Sequence, residues 1–143
     1  MSTDLAVGTA DALVGIGTDL VAIDRLDGAL ARRPRLAGRL FTAAELATTA
    51  TGTTAGRARS LAARLAAKEA VMKSLGVGVG QVGFREIEIT GGRGHAPLVT
   101  LHGRAATRAE MLGVTAVAIS MSHDAGLASA VAVSTRRCTC NPP

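Results

Sequence analysis

Aromatic side chains are what this 143-residue chain lacks most: it has two Phe and no Trp or Tyr. Proteins that bind single-stranded nucleic acid stack the bases on exposed aromatic rings. The sequence also shows no RRM or KH signature. It therefore argues against an RNA-associated protein, and the net charge of +5 needs another explanation.

Cysteine is nearly as scarce, because only Cys138 and Cys140 occur, both close to the C-terminus. Two cysteines without a second pair of ligands do not form a structural zinc site. Long apolar runs are missing as well, so no segment is expected to span a bilayer. The first residues include Asp4 and no basic cluster, which is not the pattern of a signal peptide. We therefore expect a cytoplasmic protein without a membrane partner.

The composition that remains is typical of one folded domain. Hydrophobic residues make up 48% of the chain and the mean hydropathy is +0.30, which excludes a disordered protein. A length of 143 residues is enough for one sizeable core. We expect residues 1–12 to form a loose leader, residues 13–135 the domain and residues 136–143 a tail.

An alanine-rich run from Leu61 to Gly76, LAARLAAKEAVMKSLG, predicts the helix around which the chain is organised. At about 3.6 residues per turn, Glu69 and Lys73 lie one above the other on a face of very small side chains. Such a face lets a ligand or a second backbone approach closely. The alternative is an ordinary helix in which Glu69 and Lys73 form an i,i+4 pair worth roughly 0.2 to 0.5 kcal/mol.

The apolar stretch Leu13–Ile23 predicts a strand in which Asp19 shares a face with Val21. An unpaired charge buried there would cost several kcal/mol, so Asp19 needs a cation, a metal or water beside it. The alternative is an aspartate at a strand end that faces solvent. Gly15 and Gly17, just before it, indicate a bulge or a close backbone approach.

Between this strand and the central helix the pattern is helical. Asp24 is predicted as the N-cap of a helix over Arg25–Arg33, which Pro34 ends. A second helical stretch starts at Leu36 and includes a capping box between Thr42 and Glu45. The small residues Thr48–Gly56 predict a loop.

Positive charge is concentrated between residues 25 and 64, where eight arginines outnumber two acidic residues. A run of this kind is often only a solvated face. Arginine in place of lysine nevertheless suits carboxylate and phosphate partners, because its planar guanidinium forms paired hydrogen bonds. The eight are Arg25, Arg32, Arg33, Arg35, Arg39, Arg57, Arg59 and Arg64.

The second half of the chain predicts two hairpins around one short helix. The first hairpin pairs Phe84–Thr90 with Leu98–His102, and the helix follows over Arg104–Leu112. The second hairpin pairs Val114–His123 with Leu127–Ser134. This order of elements predicts an α+β domain in which helices pack on a largely antiparallel sheet.

A cluster of polar residues at the end of the second hairpin does not form a hydrolase triad. Ser122 and His123 are adjacent in a strand, so their side chains point to opposite faces, and no nucleophile elbow is present. His123 is then either a structural histidine or a ligand contact.

Three segments together resemble the holo-acyl-carrier-protein synthases, the small bacterial class of 4'-phosphopantetheinyl transferases. They are GIGTDLVAIDR at 15–25, LAARLAAKEAVMKSLG at 61–76 and ISMSHDAG at 119–126. The likeness covers roughly Val14 to Val133, and it implies the α+β fold of that family. It also implies transfer of the phosphopantetheine arm of coenzyme A to a serine of an apo acyl carrier protein, with Mg²⁺, releasing adenosine 3',5'-bisphosphate.

The same resemblance implies roles for individual residues. Asp19 and Glu69 match the metal ligands, and Lys68 and Lys73 match the helix cations. His123 matches a coenzyme-contacting histidine, and Arg25 matches a carrier-binding arginine. With the positive charge that phosphoryl transfer requires, we expect Asp19, Glu69 and Lys73 to be catalytic and the coenzyme contacts to be Arg64, Lys68, Lys73, Gly76 and His123. Because acyl carrier proteins are acidic, we expect Arg32 and Arg39 to join Arg25 in a docking surface. The serine proton can pass to Glu69 or to water on the metal, and the residues do not decide between them.

The family also implies a homotrimer whose active sites are shared between neighbouring subunits. The alternating face of Val117, Ile119 and Met121, together with the alternation of Leu127 to Val133, offers more apolar strand surface than the helices need to cover, and we expect this surplus to form the interface. A rival interpretation is a non-catalytic carrier-protein or nucleotide-binding module of the same fold. The presence of both carboxylates argues against it, and the residues do not name a fatty-acid or a polyketide carrier.

Overall fold

The computed structural model describes residues 11–92 and 94–138 and gives a mixed fold of five helices and five strands within them. Their bounds are β1 Asp11–Ala22, α1 Ile23–Arg32, α2 Leu36–Leu40, α3 Ala43–Ala50, α4 Thr54–Ser74, β2 Ile87–Gly92, β3 His95–Leu101, α5 Gly103–Met111, β4 Ala116–Asp124 and β5 Leu127–Arg137. A 3-10 turn over Phe84–Glu86 precedes β2. The predicted α+β class is confirmed.

All strand pairing within these elements is antiparallel. One sheet has the order β1-β5-β4, and β2 and β3 form a separate hairpin. The register places Asp19 opposite Ala130, which in turn lies opposite Met121. An irregularity between Leu13 and Gly15 shifts the register near the start of β1, as expected where glycine allows a bulge.

Helix α4 lies across the three-stranded sheet, and both surfaces use very small residues. Ala66 and Ala70 on the helix are fully buried, as are Ala128 and Ala132 on β5. Alanine against alanine lets a helix and a sheet approach closely, and α4 is covered along most of its circumference. This explains why its sequence has no clean amphipathic stripe.

Two apolar clusters lie at the two ends of α4. The first joins the C-terminal half of α4 to β2, α5 and the sheet, with Ile87 and Ile89 fully buried. The second joins the N-terminal half of α4 to α1, and its largest buried side chain is Phe41. Helices α1, α3 and α5 therefore all contribute apolar side chains to the clusters around α4.

The predicted loop over Thr48–Gly56 and the predicted start of the central helix at Leu61 are wrong. Helix α3 continues to Ala50, and α4 already begins at Thr54. Thr53 caps α4 by accepting a hydrogen bond from the Gly56 N–H at 3.1 Å. A threonine cap preceding a run of alanines was the signal for this start. The predicted capping box of α3 is present, since the Thr42 N–H donates to Glu45 Oε2 at 2.7 Å.

The start of α1 also differs from the prediction. The helix begins at Ile23, and Asp24 lies in its first turn rather than at its N-cap. No side chain caps this end; the Ile23 N–H instead donates to the Gly126 carbonyl in the β4–β5 turn at 3.0 Å. A contact between distant segments thus replaces the local cap that the sequence predicted.

The apolar strand surface that was expected to be in surplus is divided between the two faces of the sheet. Val117, Ile119 and Met121 are half-buried against the core of their own chain, so this part of the expectation is wrong. On the face that points away from α4, Leu127 is 44% exposed and Val131 is 40% exposed, and both belong to the expected Leu127–Val133 segment. Ile16 at 61% and Leu20 at 66% on β1 extend this exposed surface and were not predicted.

Candidate active site

Asp19 and Lys73 meet where β1 crosses α4. The Lys73 ammonium donates to Asp19 Oδ1 at 2.8 Å and to the Thr18 carbonyl at 2.7 Å. The Asp19 side chain is only 13% exposed, so the predicted need for a cation is confirmed. Lys73 thus pairs across the fold with Asp19, and the local pair with Glu69 that was the alternative is not the ion pair formed.

Glu69 lies beside Asp19, one helical turn before Lys73. Burial raises the pKa of the Glu69 carboxyl above its ordinary value of 4.5; the negative charge of Asp19 and a hydrogen bond with Asp19 raise it further. The Lys73 charge opposes this increase but does not cancel it. Two adjacent carboxylates repel each other when both are ionised, so this site favours a proton or a cation between them.

A cavity of about 330 Å³ opens onto these two carboxylates. Its other walls include Leu26 and Leu65, with the exposed Arg25 at its edge. A second cavity, of about 480 Å³, is also lined by Asp19, together with Lys73 and residues of β5. Asp19 therefore borders both cavities, whereas Glu69 lines the first and Lys73 the second.

Arg64 and His123 line a different cavity, of about 320 Å³, together with the glycines at the end of β2. The Arg64 guanidinium donates to the Ser60 hydroxyl and to the Gly91 carbonyl, the latter at 3.1 Å. It is almost fully buried, whereas His123 is exposed. Within one chain these two predicted coenzyme contacts come together, but they do not share a cavity with Glu69.

Lys68 is not a coenzyme contact in this structure. Its ammonium is 0% exposed and donates to Glu45 Oε2 at 2.8 Å and to the Phe84 carbonyl at 2.8 Å. It also lies 5.5 Å from the centre of the Phe41 ring. A ligand could reach this ammonium only by breaking a buried ion pair, so the role predicted for Lys68 is replaced by a structural one.

Gly76 does not join the carboxylates either. It follows the end of α4 with φ of +64°, a left-handed conformation that glycine adopts without strain. Its cavity, of about 320 Å³, is lined by Arg104 and Arg108. Arg108 donates to the Leu75 carbonyl at 3.0 Å, which satisfies one of the last carbonyls of the helix. Gly76 therefore ends α4.

A larger cavity, of about 730 Å³, was not predicted. It is lined by Asp24, Asp27, Asp124, Arg59 and His123, among others. We place the chemistry at the smaller cavity instead, because the two carboxylates there come from different elements and because burial, together with the charge of Asp19, raises the pKa of Glu69. No sequence signal marked the larger cavity, since its walls come from α1, α4 and the β4–β5 turn.

Comparison with known proteins gives one consistent result. Residues 15–128 match the family described as the 4'-phosphopantetheinyl transferase superfamily. The holo-[acyl-carrier-protein] synthase of Moorella thermoacetica is 47% identical over 117 residues, covering 82% of this chain and 90% of that protein. The synthase of Streptomyces coelicolor is 44% identical over 121 residues, covering 85% and 96%.

A solved structure agrees with the sequence matches. The Helicobacter pylori holo-[acyl-carrier-protein] synthase in complex with coenzyme A is 31% identical, with a TM-score of 0.71, and the match covers 83% of this chain and 98% of that chain. This chain belongs to the 4'-phosphopantetheinyl transferase superfamily and, within it, to the holo-[acyl-carrier-protein] synthase family. The resemblance of the three sequence segments is thereby confirmed.

Proposed function

We propose that this protein transfers the 4'-phosphopantetheine arm of coenzyme A to a serine of an apo acyl carrier protein. The observation that carries this proposal is the meeting of Asp19 and Glu69 at one cavity, with Lys73 bound to Asp19. Membership of the family supplies the reaction class. The Helicobacter pylori relative binds coenzyme A, which supports the choice of donor.

The donor set fits a magnesium ion. Mg²⁺ prefers hard oxygen ligands, and it commonly takes one or two protein carboxylates and completes its shell with water and substrate phosphate. Within the part of the chain described here, no three His, Cys, Asp or Glu side chains form a larger metal cage. Asp19 and Glu69 would hold the ion, which would neutralise negative charge on the diphosphate of the coenzyme.

The residues of the chain supply positioning and charge for the phosphoryl transfer. The carrier serine oxygen attacks the phosphorus that bears the pantetheine arm, and the bond to adenosine 3',5'-bisphosphate breaks. Lys73 is half-exposed and has a further hydrogen to donate to a phosphate oxygen. Burial and the charge of Asp19 raise the pKa of Glu69, which suits it to accept the serine proton, directly or through a water.

Docking of the carrier protein would use the exposed arginines of α1 and α2. Arg25, Arg32 and Arg39 are all exposed, and Arg25 lies at the edge of the carboxylate cavity. An acidic partner brought to this surface would place its serine near Asp19 and Glu69.

Within residues 11–92 and 94–138 no helix is long and apolar enough to cross a membrane. We place the reaction in the cytoplasm, where the carrier protein and coenzyme A meet.

Two observations support a homotrimer with shared active sites. First, the uncovered face of the β1-β5-β4 sheet carries Ile16, Leu20, Leu127 and Val131, all exposed. Contiguous apolar surface of this kind favours an interface. Second, the Arg64–His123 cavity and the Glu69 cavity are separate within one chain. A coenzyme that contacts both would bridge two subunits.

The deciding experiment is mass spectrometry of an apo acyl carrier protein after incubation with this protein, coenzyme A and Mg²⁺. The enzyme proposal predicts a covalent phosphopantetheine adduct on one serine, and no adduct when Asp19→Asn replaces the wild type. A non-catalytic module of the same fold would bind the carrier or the coenzyme and leave the carrier mass unchanged.

A further inference from the structure

The backbone of β1 touches the backbone of α4 at two glycines. A Cβ at Gly17 would lie 2.0 Å from the Ala70 carbonyl oxygen and 2.8 Å from Lys73 Cβ, and a Cβ at Gly15 would lie 2.0 Å from the Ser74 carbonyl oxygen. Neither glycine has a positive φ, so their conformation is open to any residue. Space alone demands glycine at both positions.

The contact at Gly17 lies at the level of the carboxylates. Asp19 is two residues further along the same strand and therefore on the same face. Ala70 is the residue after Glu69, and Lys73 anchors the strand by donating to the Thr18 carbonyl and to Asp19. The spacing of β1 and α4 at Gly17 thus sets the separation of the two carboxylates, because they are carried by these two elements.

The other residues at this level do not hold the strand off the helix. Gly17 pairs with Ala132 and Asp19 pairs with Ala130 on β5, and both alanines are buried. On the helix, Ala66 and Ala70 are 0% exposed. Because the side chains at this level are among the smallest, backbone contact at Gly17 sets how closely β1 approaches α4, while Lys73 ties the strand to the helix.

We propose that Gly17 is a positioning residue for the transfer reaction: its missing side chain seats β1 on α4 at the spacing that lets Asp19 and Glu69 act together on one divalent cation. This inference rests on the proposed function. A Cβ does not normally approach another heavy atom closer than 3.0 Å, so Gly17→Ala must move the strand by about 1 Å. A misplacement of about 1 Å can cost on the order of 10²-fold in rate.

The test compares Gly17→Ala with two matched variants. Gly15→Ala meets an equally close oxygen, but at Ser74, further from the carboxylates, and Gly38→Ala meets no atom within 4 Å. Each protein is titrated with Mn²⁺ by electron paramagnetic resonance, its melting temperature is measured, and kcat and KM are determined with coenzyme A and an apo carrier.

We expect Gly17→Ala to weaken Mn²⁺ binding by about 10-fold or more, the size seen when a support of a metal ligand is lost. Its kcat should fall about 10²-fold while KM for the carrier is unchanged, because the docking arginines lie on other elements. Gly15→Ala should lose comparable thermal stability but keep its Mn²⁺ affinity. Gly38→Ala, inside helix α2, should match wild type in Mn²⁺ affinity and kinetics and should not melt at a lower temperature.

The proposal fails if Gly17→Ala retains Mn²⁺ affinity, or if both β1 variants lose affinity in proportion to their melting temperatures. If Gly17→Ala does not fold, the Mn²⁺ affinity of folded Gly15→Ala decides. Retained affinity in Gly15→Ala supports a role confined to the level of Gly17, and lost affinity overturns the proposal. If the wild-type protein binds Mn²⁺ but never modifies a carrier, the proposed function is refuted. The Mn²⁺ affinities of the wild type and the glycine variants would still test the positioning role of Gly17.

Discussion

The ionisation of Glu69 is the residue-scale property with the clearest consequence. Its pKa is raised by burial, by the charge of Asp19 and by their hydrogen bond. A carboxyl whose pKa is higher in the folded than in the unfolded state stabilises the fold while it is protonated. That stabilisation is fully present below the unfolded pKa, near 4.5, and is lost as pH rises through the raised folded value.

We therefore predict that the metal-free protein loses free energy of unfolding as pH rises from about 4.5 through the folded pKa of Glu69. Urea unfolding at a series of pH values measures this slope. Glu69→Gln should flatten it, because glutamine does not titrate. Added Mg²⁺ should restore stability to the wild type at neutral pH but not to Glu69→Gln; an identical Mg²⁺ response in both proteins would contradict the metal assignment.

Substitution of either carboxylate should abolish transfer without unfolding the domain. Asp19→Ala and Glu69→Gln each remove one of the two ligands, and neither side chain is part of the apolar core. Circular dichroism checks the fold, and the mass of the carrier protein measures transfer. Full Mg²⁺-dependent activity in either folded variant would remove that residue from the site.

Lys73 offers a test that separates coenzyme binding from carrier binding. Its side chain is 54% exposed, and an exposed ion pair of this kind contributes only about 0 to 1 kcal/mol to stability. Lys73→Ala should therefore remain folded but raise KM or lower kcat for coenzyme A more than it changes carrier binding. Unchanged kinetic constants for the coenzyme would reject its phosphate role.

At the scale of elements, a buried ion pair joins α3, α4 and β2. Glu45 on α3 accepts from Lys68 of α4 at 2.8 Å and from the Ile89 N–H of β2 at 2.8 Å. Burial lowers the pKa of Lys68, and the hydrogen bond and charge of Glu45 oppose that decrease. Because Glu45 also caps its own helix, each of its carboxylate oxygens has a partner.

Replacing one partner of this ion pair should destabilise the fold more than replacing both partners. Lys68→Met leaves a carboxylate buried without its cation, and we expect a loss of about 3 to 5 kcal/mol in unfolding free energy. The double variant Glu45→Leu with Lys68→Met removes both charges and should be less destabilised than Lys68→Met alone. Chemical denaturation of the wild type, the two single variants and the double variant completes the cycle and gives the coupling energy of the pair. A double variant less stable than Lys68→Met alone would contradict the expectation.

At the scale of the whole molecule, the uncovered sheet face and the separated cavities together favour an assembly. A single subunit leaves Ile16 and Leu20 exposed on one side of the sheet and keeps His123 apart from Glu69. Packing of identical subunits through that face would remove apolar surface from water. It would also bring together two half-sites, the Glu69 cavity of one subunit and the Arg64–His123 cavity of its neighbour. One assembly thus accounts for two otherwise unrelated features.

Mixed subunits test this assembly directly. Glu69→Gln and His123→Ala proteins are each expected to be inactive, but after subunit exchange their mixture should regain part of the wild-type activity, because a mixed interface combines two intact halves. A mixture of Asp19→Asn and Glu69→Gln serves as the control, since both changes damage the same half-site. Light scattering that shows an active monomer, or no recovery after proven exchange, would defeat the shared site.

The sequence alone determined what depends on short-range geometry. The helical period placed Glu69 and Lys73 on one face, strand alternation placed Asp19 on the face of Val21, and the Thr42–Glu45 capping box followed from a local pattern. The family segments were readable, and so was the order of elements except that the single helical stretch predicted from Leu36 is two helices, α2 and α3. These features need only neighbours along the chain, so backbone periodicity is enough to predict them.

Only the tertiary structure decided which distant groups meet. Lys73 pairs with Asp19 rather than Glu69, and Lys68 is buried against Glu45 rather than offered to a ligand. The sheet face that stays exposed is the one opposite α4. Each outcome depends on how closely β1 and α4 approach and on which face of the sheet the helix covers. Those are properties of packing between segments, because the same local pattern is compatible with either face and either partner.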